Sequence, residues 1–112
     1  MSGITTHVLD VSAGRPAAAL AVRLDVLRGS GWERVAEGST DDDGRLGDLH
    51  RGPQVPSGIY RITFATRPYF QGKGVATFYP EVAVMFEVID PSQHYHVPLL
   101  LSPFGYSTYR GS

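Results

Sequence analysis

The chain has 112 residues, ten basic and eleven acidic, for a formal net charge of -1, a balance that offers neither a basic face for nucleic acid nor an acidic tract for disorder. It has no cysteine, so disulfides, thiol nucleophiles, thiolate metal sites and iron–sulfur clusters are excluded together. The length suits one compact domain over residues 1–112, and neither a leader-like segment in "MSGITTHVLDV" nor a membrane-length apolar run is found, so a soluble, cytoplasmic protein is expected.

The chain opens on "TTHVLD", where threonines, valine and leucine around His7 read as a strand carrying one titratable ring. In "LAVRLDVLR" (20–28), Leu20, Val22, Leu24 and Val26 fall on one face and Arg23 and Asp25 on the other, the alternation of a half-buried strand. "WERVAEG" (32–38) is a shorter strand candidate, and "STDDDGRLGD" after it is a turn. "GIYRITFAT" (58–66) repeats the alternation, with Tyr60, Ile62 and Phe64 opposed to Arg61 and Thr63. "RPYFQGKG" (67–74) lacks period two; Pro68 in a first helical turn and Gly74 as a stop predict one short helix.

"VAVMFEVID" (82–90) is apolar on both faces, with Val82, Val84, Phe86 and Val88 on one and Ala83, Met85 and Ile89 on the other. A sandwich of this size covers only one face of each sheet, so a subunit contact is expected over the second. "HYHVPLLLSPFGYSTYRGS" reads as two strands joined at "SPFG". Seven or eight short strands with turns at this spacing predict an all-β, two-sheet sandwich.

Three kinds of side chain could do chemistry: histidine, arginine and tyrosine. His94 and His96 are two apart in a strand and share a face. With His7 they would make a three-histidine zinc site with one open position, or, without metal, a surface or hydrogen-bonded pair. His50, beside Arg51, reads as a surface residue. Arg45 is either a turn charge neutralised by Asp41, Asp42 and Asp43, or an oxyanion clamp. Tyr109 and Arg110 are further donors on a segment that is otherwise expected to fray. No G-x-S-x-G elbow, phosphate loop or G-x-G-x-x-G junction is found, which argues against serine hydrolase chemistry and nucleotide cofactors.

Both ends of the chain resemble one family. "THVLDVSAGRPA" (6–17) and "YHVPLLLSPFGYSTYRGS" (95–112) are similar to the terminal signatures of the transthyretin-like proteins, and "DDDGR" (41–45) and "FYPEVAVMFEVIDPSQHYH" (78–96) also look like family segments. The closing "YRGS" is the mark of the family's hydrolase branch, which the hormone carriers lack. The resemblance implies a homotetramer of transthyretin-like (prealbumin-like) sandwiches with one short helix and active sites in clefts at a subunit interface. It further implies hydrolysis of 5-hydroxyisourate to 2-oxo-4-hydroxy-4-carboxy-5-ureidoimidazoline, on the route from urate to allantoin, without metal or cofactor. Carried onto this chain, it marks His7, Arg45, His96 and Ser112 as catalytic, and His7, Arg45, Tyr109, Arg110 and Gly111 as substrate contacts. His94 matches a family position that is not catalytic. The runner-up is a carrier that binds a small molecule in an inter-subunit channel.

Overall fold

The computed structural model describes residues 3–47, 49–50 and 55–112. Two sheets face each other. The first runs β2 (Arg15–Pro16), β1 (Gly3–Asp10), β8 (His94–Ser102), β9 (Gly105–Thr108), with β5 (Arg45–Leu46) also paired to β1. The second runs β4 (Gly31–Ser39), β3 (Ala21–Arg28), β6 (Gly58–Phe64), β7 (Val82–Val88). Among the described residues one helix, α1 (Thr66–Gln71), links β6 towards β7.

The alternation seen in sequence is the alternation of burial. Val22, Leu24 and Val26 of β3 meet Tyr60, Ile62 and Phe64 of β6 in the core, with Ile4 and Val8 of β1 and Leu99 and Leu101 of β8 closing it from the other sheet. Burying these side chains removes the apolar face of each sheet from water, the main favourable term in folding.

The other face of β3 departs from the expected polar surface, because Asp25 is buried at 5 % exposure. An irregularity in the β3–β4 register after Leu24 sets Asp25 opposite Arg34, whose Nε lies 3.1 Å from its carboxylate. Arg61 Nη2 approaches to 3.5 Å and stacks on Trp32, with its guanidinium 4.2 Å from the ring centroid. Three arginines, counting Arg23 at 4.0 Å, therefore roof one carboxylate. A charge so enclosed is tolerated only because its partners surround it.

The regular helix starts and stops slightly earlier than 67–74. Arg67 N–H donates to Pro80 O and the Thr66 hydroxyl to Tyr79 O, so the first turn is anchored from outside the helix. At the other end Gly74, at φ 68°, donates to Gln71 O while Val75 N–H reaches Phe70 O. This is the left-handed glycine closure that the stop signal predicted, placed after one further turn. His50 is half-buried rather than on the surface, with a shielded Nδ1; Arg51 beside it lies outside the described residues.

The two apolar faces of 82–90 separate as expected. Val82 and Val88 are in the core, whereas Met85 and Ile89 are 63 % and 76 % exposed. Strand β7 is an edge of its sheet and β9 an edge of the other. Among the described residues, no helix is long and apolar enough to cross a membrane.

Candidate active site

The site lies on the outer face of the first sheet. In β1 the even-numbered residues are buried, which leaves Thr5, His7 and Leu9 on the face away from the core. In β8 the same parity argument buries Tyr95, Val97, Leu99 and Leu101 and leaves His94 and His96 outside. These strands pair in parallel, with Gly3 opposite His94 and Thr5 opposite His96. Thr5 Oγ1 consequently lies between the rings, 2.9 Å from His94 Nε2 and 2.8 Å from His96 Nδ1.

Strand β5 brings the guanidinium. His7 pairs directly with Arg45, so both side chains leave the sheet on the same side. The preceding turn is held by the Asp41 carboxylate, which accepts from the backbone N–H of both Asp43 and Arg45 at 2.9 Å. Arg45 is exposed, and no direct ion pair ties its guanidinium to Asp41, Asp42 or Asp43. Gly44 makes the turn possible: it sits at φ 76°, and a Cβ there would stand 2.4 Å from Val8 O. His7 Nε2–H donates to Asp43 O at 2.9 Å, which ties the ring to the same turn.

The tail closes the other side. Beyond β9 the chain folds back so that Gly111 N–H donates to His96 O at 2.8 Å. A Cβ at Gly111 would lie 2.5 Å from His96 Cδ2, so only glycine fits against the ring in this position. Arg110 reaches Gln93 Oε1 at 2.9 Å and stacks over Tyr95 at 4.5 Å, and it holds the tail down from outside the cleft. The resulting cleft, of about 270 Å³, is lined by Thr5, Thr6, Arg45, Leu46, Gly47, His94, His96 and Ser112.

Of the residues singled out in the sequence, Arg45, His96 and Ser112 thus meet in one cleft, with His7 on the same face and Gly111 behind the His96 ring. Tyr109 is 58 % exposed and stands outside that lining. The three histidines do not converge on a common point, since His94 and His96 both turn a nitrogen to Thr5 and His7 turns to Asp43. Among the described residues no group of three or more His, Cys, Asp or Glu has the arrangement of a metal site. Thr5 was missed in sequence, although it shares the parity of His7 within one strand.

Electrostatics distinguish His96. Burial pushes its pKa below the ordinary 6.5, and the charges of His94, His7 and Arg45 push it further, against a smaller opposing effect from Thr5. The ring is therefore neutral at pH 7 and holds a lone pair. A neutral imidazole beside a guanidinium, in a cleft wide enough for a small heterocycle, can deprotonate water and stabilise an oxyanion.

The HIUase/Transthyretin family profile matches residues 4–111. A relative from Caulobacter vibrioides named 5-hydroxyisourate hydrolase is 45 % identical, with the alignment covering all of both chains. Among solved structures, 5-hydroxyisourate hydrolase from Klebsiella pneumoniae superposes with a TM-score of 0.86 at 35 % identity, covering 100 % of this chain and 94 % of that one. Sea bream transthyretin in complex with thyroxine gives 0.90 at 33 % identity, covering 96 % of this chain and 93 % of that one.

Titration of the His96 ring, followed by NMR, is expected to have its midpoint below 6.5, and Arg45→Gln is expected to raise it by removing one positive neighbour. The folded ring binds protons less tightly than the unfolded one, so its contribution to stability is complete above the ordinary value and is lost as pH falls through the folded value. A midpoint at or above 6.5 that ignores Arg45→Gln would contradict this electrostatic account.

Proposed function

The chain belongs to the HIUase/Transthyretin family, and from that premise we propose that it hydrolyses 5-hydroxyisourate to 2-oxo-4-hydroxy-4-carboxy-5-ureidoimidazoline in the breakdown of urate. The observation that carries the proposal is the cleft itself, in which His96, Arg45 and Ser112 share one lining against the Gly111 backbone. The names of the relatives from Caulobacter and Klebsiella give the substrate class.

The reaction needs a base for water, a donor for the developing oxyanion and contacts that hold a small polar heterocycle. His96 is the base in this scheme. Its Nδ1 is engaged by Thr5, which leaves Nε2 for water, and its depressed basicity keeps the ring uncharged near neutrality. Attack on the ring carbonyl places negative charge on oxygen, where the Arg45 guanidinium stabilises it. Collapse of the tetrahedral intermediate breaks the C–N bond, and the proton taken by His96 passes to the departing nitrogen. The bond from His7 Nε2–H to Asp43 O suits His7 to orienting the turn and the substrate edge beside Arg45. Ser112 holds the heterocycle by hydrogen bonds, and Tyr109 on the same tail is a further donor. No step requires a metal ion.

A homotetramer with its clefts at a subunit interface is part of the same proposal. Exposed Met85 and Ile89 beside edge strand β7, with a second open edge at β9, give a neighbour both an apolar patch and unpaired strand backbone to cover. The likeness to sea bream transthyretin keeps a carrier as the rival reading. The polar lining of the cleft argues against it, because a carrier for a hydrophobic ligand wants apolar walls.

Ultraviolet absorbance of 5-hydroxyisourate generated by urate oxidase tests the activity. The full chain is expected to accelerate its decay above the spontaneous rate, and Arg45→Ala to lower kcat/KM by about 10²- to 10³-fold, the loss of roughly 3 to 4 kcal/mol that follows removal of an oxyanion donor. Unchanged kcat/KM in Arg45→Ala would take Arg45 out of the chemistry, and no acceleration by the full chain would bring the carrier forward. Sedimentation at micromolar concentration should give four chains per particle; a monomer would refute the assembly.

A further inference from the structure

The scheme above uses Thr5 only to engage His96 Nδ1 and assigns no sense to that bond. Thr5 is half-buried on β1, with its hydroxyl between two imidazoles whose centroids are 6.4 Å apart and whose planes are within 18° of parallel. A hydroxyl has one proton, so one of its two bonds to histidine is donated and the other accepted. The two senses have opposite consequences for His96. If Thr5 donates to His96 Nδ1, neutral His96 carries its proton on Nε2, and the cleft receives an N–H. If Thr5 accepts from His96 Nδ1–H, it donates to His94 Nε2, and His96 presents a lone pair at Nε2.

The cleft contains the Arg45 guanidinium. A lone pair directed into a positively charged cleft is favoured over an N–H directed there, which selects the second sense. The groups whose charges lower the His96 pKa are His94 on its own strand, His7 on β1 and Arg45 on β5, and Ser112 on the tail lines the same cleft. On the tail, Arg110 is turned away to Gln93 and Tyr95.

We propose that Thr5 is a positioning residue, which accepts from His96 Nδ1–H and donates to His94 Nε2 and thereby fixes His96 in the tautomer that has an unprotonated Nε2 in the cleft. The role rests on the hydrolytic reading above. When Nε2 takes the proton from water, the charge spreads to Nδ1–H, and the hydroxyl that accepts from it is already polarised by its own bond to His94. No proton crosses Thr5: the Nδ1 proton stays in place, and the proton from water leaves Nε2 for the departing nitrogen. His94 acquires a role two bonds away from the chemistry, as the acceptor that sets the sense of the chain.

Nitrogen-15 NMR of the His96 ring in the substrate-free full chain, held above the His96 titration midpoint, tests the tautomer directly. The proton is expected on Nδ1 in the native protein and in Thr5→Ser, and shared with or moved to Nε2 in Thr5→Val. In parallel, Thr5→Val is expected to lose about 10- to 100-fold in kcat with little change in KM, whereas Thr5→Ser stays within about threefold of the native rate. A native His96 protonated on Nε2 would overturn the proposal even if Thr5→Val failed to fold. Native activity in Thr5→Val would also overturn it while leaving the hydrolase reading intact. If the full chain had no hydrolase activity, the catalytic role would go with that reading, and the NMR result would still decide the sense of the Thr5 bonds.

Discussion

Parallel pairing of β1 with β8 is the constraint on which the rest of the site depends. The strands come from opposite ends of the chain, yet they align over eight residue pairs, from Gly3 with His94 to Asp10 with Leu101. Strand side chains alternate strictly, so one register does two things: it buries Ile4, Val8, Leu99 and Leu101, and it turns Thr5, His7, His94 and His96 outward on one face. A slip of one residue in either strand would send its histidines into the core and its leucines or valines into water. Hydrophobic burial thus enforces the geometry of a polar cluster that contributes little to the core.

Two local devices then add to that face what β1 and β8 cannot supply. The Asp41–Gly44 turn carries Arg45 to the open edge of β1, opposite His7, and the backbone bonds to the Asp41 carboxylate fix it there. The tail supplies the other wall, with the Gly111 amide bonded to His96 O and Arg110 clamped on Gln93 and Tyr95. Gly111 is required by distance rather than by backbone angle, because any side chain would run into the imidazole. Of these last residues, Ser112 lines the cleft, Gly111 abuts the His96 ring, and Arg110 anchors both from outside.

Much of the sandwich was legible in the chain because period-two hydrophobicity records which face of a strand is buried. The runs 20–28, 58–66 and 82–90 read correctly for that reason, as did the SPFG turn, where Ser102 pairs with Gly105. Local pattern carries no information on partners, so the parallel β1–β8 pairing and the two-residue strand at Arg45 were not legible. Asp25 looked like a surface residue because alternation reports the side of the sheet, and the arginines that roof that side come from β3, β4 and β6 together. The grouping of Arg45, His96 and the tail came from resemblance to a family. Thr5 carries no such signal, since a threonine in a strand is ordinary until its register is known.

The most direct test of a tail-walled hydrolytic cleft is the decay rate of 5-hydroxyisourate, generated in situ, with the full chain and with a chain ending at Thr108. The truncation removes Gly111 and Ser112 but leaves β9 and both sheets whole. Acceleration by the full chain, lost in a truncated chain of unchanged circular dichroism and sedimentation, is the result this account predicts. Equal acceleration by a truncated chain would contradict it, because the cleft would then work without the wall that Gly111 and Ser112 provide.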